Sequence, residues 1–262
     1  MRIKVYIVTY NNNEILRRNL EHIYNSDLMN YDYSVHIINN YSILTGFDNY
    51  DNIEILNNVL RPDFSYGFLS RNWNQAIING FESLVDPKCD ILVTMQNDTF
   101  VKTDCFSDLI ELHKKYDFIT IGAGDQLLSY TVDAIKQIGL WDERFCFVGH
   151  QEGDYFTSAF MLHKDKISIC DFTHNRLHNL FDECHTKLIY PEASLNGGHY
   201  TGSHPYLEEL FYHKWGRDIP CRDTYYWKEE NTIVRYPLIK RYFLYYYFEK
   251  DIKTLKEQNY FF

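Results

Sequence analysis

The sequence predicts an α/β protein: a mostly parallel central sheet flanked by helices, followed by a helical or irregular C-terminal region. Three observations predict it. Residues 91–95, Ile-Leu-Val-Thr-Met, form a short and nearly continuous apolar run, as expected of a strand covered on both faces. That run surfaces at Asn97-Asp98-Thr99, and ligands of open α/β sheets gather at the carboxyl ends of strands. Strand-like and helix-like segments alternate as far as Ile121, and the single handedness of strand-helix-strand crossovers makes such neighbours parallel.

Taken in order, Ile3 to Thr9 is β-branched and apolar and ends in the polar stretch Tyr10-Asn11-Asn12-Asn13, a strand followed by a loop. From Glu14 onward Leu16, Leu20, Ile23 and Tyr24 keep helical spacing. Ser34 to Ile38 predicts a second strand that breaks at Asn39-Asn40-Tyr41-Ser42, and Ile53 to Leu56 a third. Trp73, Ile77, Phe81 and Leu84 predict a helix over 69–85, whose opening carries Arg71 and Asn72. After the central strand come a helix over 104–115 with Asp104 as its N-cap, a strand over 118–121, and a short helix over 131–138 closed by Gly139. A helix beginning near Glu152 buries Phe156, Ala159 and Phe160, and a strand covers 167–170. Leu207 to Trp215 reads as helical.

Composition bounds the function. A chain of 262 residues with 45% hydrophobic content has enough material for a substantial core. Its formal charge of −10 argues against nucleic acid as partner, because phosphate backbones reward a basic surface. A nucleoside diphosphate stays compatible, since a divalent cation offsets local repulsion. The 6 cysteines are scattered without a Cys-x-x-Cys pair, which points to a reducing compartment rather than a disulfide framework or zinc ribbon. Met1 leads straight into a strand-like segment and the longest apolar stretch, 242–248, is too short to span a bilayer. A cytoplasmic protein, or one peripheral at a membrane, is expected.

Several polar clusters are candidates for chemistry. Asp98 stands where the central strand surfaces, suited to a metal or a phosphate-bearing ligand, and equally to opening a turn. Glu152 and Asp154 lie in the first turn of their helix, where the dipole favours acids whatever their role. Asp171 to Asn179 is dense in polar groups, with His174, Arg176 and His178 able to meet a metal or a diphosphate, or simply to form a surface loop. His199 and His204 lie in a glycine-containing loop. The basic, aromatic stretch 235–248 suits core packing, a dimer contact or a membrane surface.

Four stretches in this order resemble the GT-A nucleotide-sugar glycosyltransferases, family 2 type: Val5-Tyr6-Ile7-Val8-Thr9-Tyr10-Asn11-Asn12; Ile37-Ile38-Asn39-Asn40-Tyr41-Ser42; Met95-Gln96-Asn97-Asp98-Thr99; and Gly139-Leu140-Trp141-Asp142-Glu143-Arg144-Phe145 leading to Gln151-Glu152-Gly153-Asp154-Tyr155-Phe156. The resemblance covers roughly residues 1 to 180 and implies a Rossmann-like sheet. It implies Thr9, Tyr10, Asn12 and Asn40 as nucleotide contacts, with Arg71, Asn72, Asn97, Asp98 and Arg176 toward the diphosphate. The family usually has Asp where Asn39 or Asn40 stands. Its Asp-x-Asp metal motif is reduced here to Asp98, with His174 and His178 as candidate further ligands of Mn²⁺ or Mg²⁺.

Asp154, and after it Glu152, is the implied general base, although Gly153 interrupts the family's usual Glu-Asp-x-Asp spacing. The implied activity is transfer of a sugar from a UDP-linked donor to a glycan or other carbohydrate acceptor, metal-assisted and inverting. The expected organisation is a transferase domain over 1–220, its nucleotide-binding half about 1–122 and its acceptor-side half about 123–220, with an aromatic helical extension over 221–262 for which a homodimer contact is one of the roles given above. A non-catalytic nucleotide or glycan binder of the same fold is the alternative. So is a sugar nucleotidyltransferase, although the glycine-rich basic signature that class needs is lacking between Asn11 and Arg18.

Overall fold

The computed structural model describes residues 1–9, 13–40, 43–47, 50–58, 69–121, 125–145, 151–163, 167–168, 177–178, 211–212 and 214–215. Its first half alternates β1 (Arg2–Thr9), α1 (Asn13–Tyr24), a 3-10 turn (Asp27–Asn30), β2 (Asp32–Asn40), β3 (Ile53–Asn58), α2 (Leu69–Phe81) and β4 (Ile91–Gln96). There follow β5 (Phe100–Val101), α3 (Cys105–His113), β6 (Phe118–Ile121), β7 (Leu127–Tyr130), α4 (Val132–Ile138), α5 (Gln151–His163), β8 (Ile167–Ser168) and β9 (Leu177–His178). Residues 211, 212, 214 and 215 are helical.

One 7-stranded sheet in the order β3-β2-β1-β4-β7-β6-β8 forms the centre. The β1–β2, β1–β4, β2–β3 and β6–β8 pairs are parallel, and β7 alone runs against its neighbours β4 and β6. The fold is thus the mostly parallel, helix-flanked α/β sheet that the sequence predicts. Alternation along each strand builds two cores. Val5 and Ile7 of β1 and Val93 and Met95 of β4 join Leu16, Leu20 and Ile23 of α1 and Phe106 and Leu109 of α3 on one face. Tyr6, Val8 and Leu92 join Trp73, Ile77 and Phe81 of α2 and Tyr155 and Phe156 of α5 on the other. Burial on both faces is why β4 reads as a continuous apolar run.

Four boundaries differ from the sequence reading. β2 does not break at Asn39 but continues through Asn40, because in the parallel register Asn39↔Asn57 and Asn40↔Asn58 the side-chain amides bond each other. Asn39 Nδ2 donates to Asn57 Oδ1 at 2.8 Å, and Asn58 Nδ2 to Asn40 Oδ1 at 2.9 Å. α2 stops at Phe81 rather than near Val85, because Glu82 turns left-handed at φ 60 and the Ser83 hydroxyl accepts from the amides of Val85 and Asp86. Asp104 stands before α3 without a side-chain capping bond. Its place is taken by Asp27, whose carboxylate accepts from the amides of Phe106 at 3.0 Å and Ser107 at 2.7 Å. The sequence reading has no strand at β7, a 4-residue segment; pairing on both sides holds it in the sheet. The helix after it, α4, starts as expected at Thr131 and ends at Gly139, φ 91.

Tyr10, Asn12, His174, Arg176, His199, His204, residues 169–170 of the expected strand and the stretch 235–248 lie outside the described residues.

Candidate active site

The carboxyl ends of β1, β2 and β4 share one rim of the sheet, and the sequence-predicted residues that are described gather there. Thr9 ends β1, buried, and its hydroxyl oxygen accepts from Asn97 Nδ2 at 3.0 Å. The turn Asn97-Asp98-Thr99 is fixed from α1: the buried Asn19 donates through Nδ2 to the Thr99 carbonyl at 2.6 Å and to the Gln96 carbonyl at 3.3 Å. Asp98 is thereby presented at the end of a buried strand. Burial pushes its carboxyl up to about 6, against an opposing bond from the backbone, and the nearby Asp125 charge adds to the rise.

Asp125 is a site residue that the sequence reading missed. It sits in the β6–β7 connection and accepts from Trp73 Nε1 at 2.9 Å and from Gln96 Nε2 at 2.5 Å. Burial pushes its carboxyl up, and these donors oppose the rise. The available signal was Gly122-Ala123-Gly124-Asp125: a strand ending in small residues followed by an acid, like β4 at Asp98. The rim therefore presents two carboxylates that feel one another, although only Asp98 belongs to the expected motif. The side chain of Gln151, first residue of α5, lies near Asp125, and its amide atoms are buried.

Asn40 and Asn72 are brought together in an amide cluster beside this rim. Asn58 Nδ2 donates to Asn40 Oδ1 at 2.9 Å and to Gln75 Oε1 at 3.0 Å, and stands 3.5 Å from Asn72 Oδ1. Asn72 Nδ2 is buried without a hydrogen-bond acceptor, a cost that an incoming oxygen would relieve. Arg71 is half-buried on the same first turn of α2.

Glu152 and Asp154 occupy the first turn of α5. α2 fixes the segment that leads to it, since Asn74 both donates to the Trp141 carbonyl at 2.9 Å and accepts from the Trp141 amide at 2.7 Å. Trp141 then stacks on Tyr155 with ring centroids 4.1 Å apart. Asp154 is buried, and its carboxylate accepts from Lys214 Nζ at 2.9 Å and from Trp215 Nε1 at 2.7 Å. Burial pushes its carboxyl up while Lys214 pulls it down. Lys214 Nζ also lies 3.1 Å from Asp142 Oδ2. Burial there is outweighed by Arg144 and Lys214, which hold the Asp142 carboxyl at about 2.

His178 lies in β9, whose register pairs it with Phe100 of β5, close in the chain to Asp98. Among the described residues no group of three or more His, Cys, Asp or Glu could by itself hold a metal ion. What is present is the Asp98–Asp125 pair, two oxygen donors of the hard type that Mg²⁺ and Mn²⁺ prefer, and those ions commonly take one or two carboxylates plus substrate phosphates. Asp98 has the donor chemistry for a cation that arrives with a phosphorylated ligand, whereas both Asp125 oxygens already accept bonds, from Trp73 and Gln96.

No protein-family model and no curated protein matches the sequence. Among solved structures the chain is similar to S. aureus TarS, at 12% identity and TM-score 0.49 over 68% of this chain and 36% of that one. It is similar to the mannosyltransferase PcManGT from Pyrobaculum calidifontis in complex with GDP-Man and Mn²⁺, at 13% identity and TM-score 0.47 over 80% of this chain and 69% of that one. It is also similar to glucosyl-3-phosphoglycerate synthase from Mycobacterium tuberculosis in complex with Mn²⁺, UDP and phosphoglyceric acid, at 11% identity and TM-score 0.42 over 70% of this chain and 73% of that one.

The likeness goes no further than the fold, and the chain spans 36% of the length of TarS. No helix among the described residues is long and apolar enough to cross a membrane. Cys89 and Cys105, the two described cysteines, are buried and are not disulfide-bonded to each other.

Proposed function

We propose that the chain is a metal-assisted glycosyltransferase that moves a sugar from a UDP-linked donor to a carbohydrate acceptor with inversion. The observation that carries this reading is the placing of Asp98, in the turn after β4, and of Asp125, bonded to Gln96 at the end of β4, on the carboxyl rim of the parallel sheet. In this reading Thr9, Tyr10, Asn12 and Asn40 hold the nucleoside, and Arg71, Asn72, Asn97 and Arg176 face the diphosphate. Asp98 would hold Mn²⁺ or Mg²⁺, with Asp125 behind it and His174 and His178 as further ligands; the ion would supply Lewis-acid neutralisation of the leaving diphosphate.

The acceptor hydroxyl has to lose its proton as it attacks the anomeric carbon, so a carboxylate must stand within hydrogen-bond reach of it. The acidic pair Glu152 and Asp154 supplies that base. Burial of the rim strengthens each electrostatic contact made there. The homodimer contact through the aromatic C-terminal region belongs to the same proposal.

A second reading, a nucleotide binder without turnover, is favoured by the lack of a three-ligand metal group among the described residues. Thermal unfolding with UDP and with GDP, each with and without Mn²⁺, tests the first part. UDP should raise the Tm only when Mn²⁺ is present, since a ligand that binds the folded state alone stabilises it by mass action. A UDP shift indifferent to Mn²⁺ would remove the metal-assisted reading, and no shift with either nucleotide would remove the nucleotide site.

A further inference from the structure

The two acids at the start of α5 differ in exposure. Asp154 has both carboxylate oxygens engaged: Lys214 Nζ lies 2.8 Å from Oδ1 and 2.9 Å from Oδ2, and Trp215 Nε1 2.7 Å from Oδ1. Its side chain is only 4% exposed. Glu152, two residues earlier, is half-buried. The same ammonium reaches Asp142 Oδ2 at 3.1 Å, and it lies over the rings of Phe145 at 5.6 Å and Trp215 at 5.5 Å. Lys214 thus sits between two acids from different segments, one before α5 and one inside its first turn. Trp215 and Phe211, from the same C-terminal stretch, are buried beside it.

We propose that Lys214 is a positioning residue: with Trp215 it clasps Asp154 and Asp142, so that Asp154 fixes the start of α5 and Glu152 is the carboxylate that takes the acceptor proton. The inference rests on the transferase reading for the role of Glu152, but the clasp stands on its own geometry. A general base needs an oxygen turned to its substrate. Asp154 spends its oxygens on an ammonium and an indole, and a charge-assisted bond of this kind is the strong sort. Asp154 faces Lys214, Trp215 and Asp142, and Asp142 in turn faces Arg144. Removing the ammonium leaves buried Asp154 and half-buried Asp142 facing one another, with only the Trp215 indole N–H on the first and Arg144 on the second, an arrangement that is costly while both are ionised and eases as they protonate.

The sign follows. In Lys214→Met the aliphatic stem is kept and the charge lost, so the Tm deficit against wild type should be largest near pH 8 and at least halve by pH 4.5. Lys214→Arg should recover most of the deficit. Should Lys214→Met not fold at neutral pH, the double variant Asp142→Asn/Lys214→Met should fold better than the single one. A deficit that does not change with pH, or no gain from Asp142→Asn, would overturn the clasp.

The division of roles is read from UDP release, with UDP-glucose and UDP-N-acetylglucosamine as probes in the presence of Mn²⁺. Glu152→Gln should lower kcat 100-fold or more. Asp154→Asn, which still accepts from Trp215, should lower kcat less than 10-fold and Tm measurably. The reverse order would make Asp154 the base and overturn the assignment. A wild type that binds UDP and releases none from either probe would sink the transferase reading, while the pH series would still decide the clasp.

Discussion

At the scale of single residues, the rim is expensive for the protein without its ligand. Asp98 lies where burial lifts its carboxyl to about 6, with Asp125 raising it further. A group whose folded pKa lies above its unfolded value favours the folded state at low pH, and that contribution is lost as pH rises from about 4 through about 6. Asp98→Asn should therefore raise the stability of the ligand-free protein at pH 7.5 by on the order of 1 to 2 kcal/mol, with the gain gone below about pH 4. The same substitution should abolish the Mn²⁺-dependent Tm shift with UDP. Chemical denaturation at the two pH values checks the first, and a Tm scan with UDP the second; a destabilised Asp98→Asn at pH 7.5 would mean that a partner already compensates the charge. Trp73→Phe removes the indole donor to Asp125 and leaves a cavity where the second ring stood. It should cost on the order of 2 to 5 kcal/mol, from a buried acceptor losing a bond and from the cavity together.

At the scale of elements, the architecture depends on contacts between segments far apart in sequence, and these were the least legible. The apolar runs of β1 and β4 and the helical spacing of α1 and α2 stand in the sequence because burial on both sheet faces, or on one helix face, leaves a local pattern. The extension of β2 through Asn39 and Asn40 left none, since asparagine is ordinarily a turn residue and only the facing Asn57 and Asn58 make it a strand residue here. The cap of α3 by Asp27 is likewise non-local. Asp27→Ala should destabilise the protein by about 1 kcal/mol, whereas Asp104→Ala should change it little; equal losses in urea denaturation would contradict the assignment. Gly80 lets α2 approach β4, since a Cβ placed there would stand 2.5 Å from Leu92 Cδ1. Gly80→Ala should cost about 1 to 3 kcal/mol, and in Leu92→Val, where the terminal branch is shorter, the cost should fall; additive losses in that double-mutant cycle would show that the two do not meet.

At the scale of the whole molecule, the parallel sheet concentrates polar groups along one rim. The positions of Thr9 at the end of β1 and of Asn97 and Asp98 just after β4 were legible because each follows a recognisable apolar run. Asp125 was passed over because β7 is a short segment recruited by pairing, so the small residues and acid before it were not read as a strand end. The clasp of Lys214 was not either, since its partners Asp142 and Asp154 lie 72 and 60 residues away in the chain. The same clasp ties the C-terminal stretch to the start of α5, so truncation before Phe211 should lower kcat more than it lowers affinity for UDP with Mn²⁺.

The most direct test of the central claim is the rate of UDP release from UDP-glucose and UDP-N-acetylglucosamine as Mn²⁺ is varied, for wild type and Asp98→Ala side by side. The account predicts release by wild type that rises with Mn²⁺ and saturates, and at least a 100-fold loss in Asp98→Ala while that variant stays folded. Metal-independent release, or a folded Asp98→Ala that keeps the wild-type response to Mn²⁺, would contradict it.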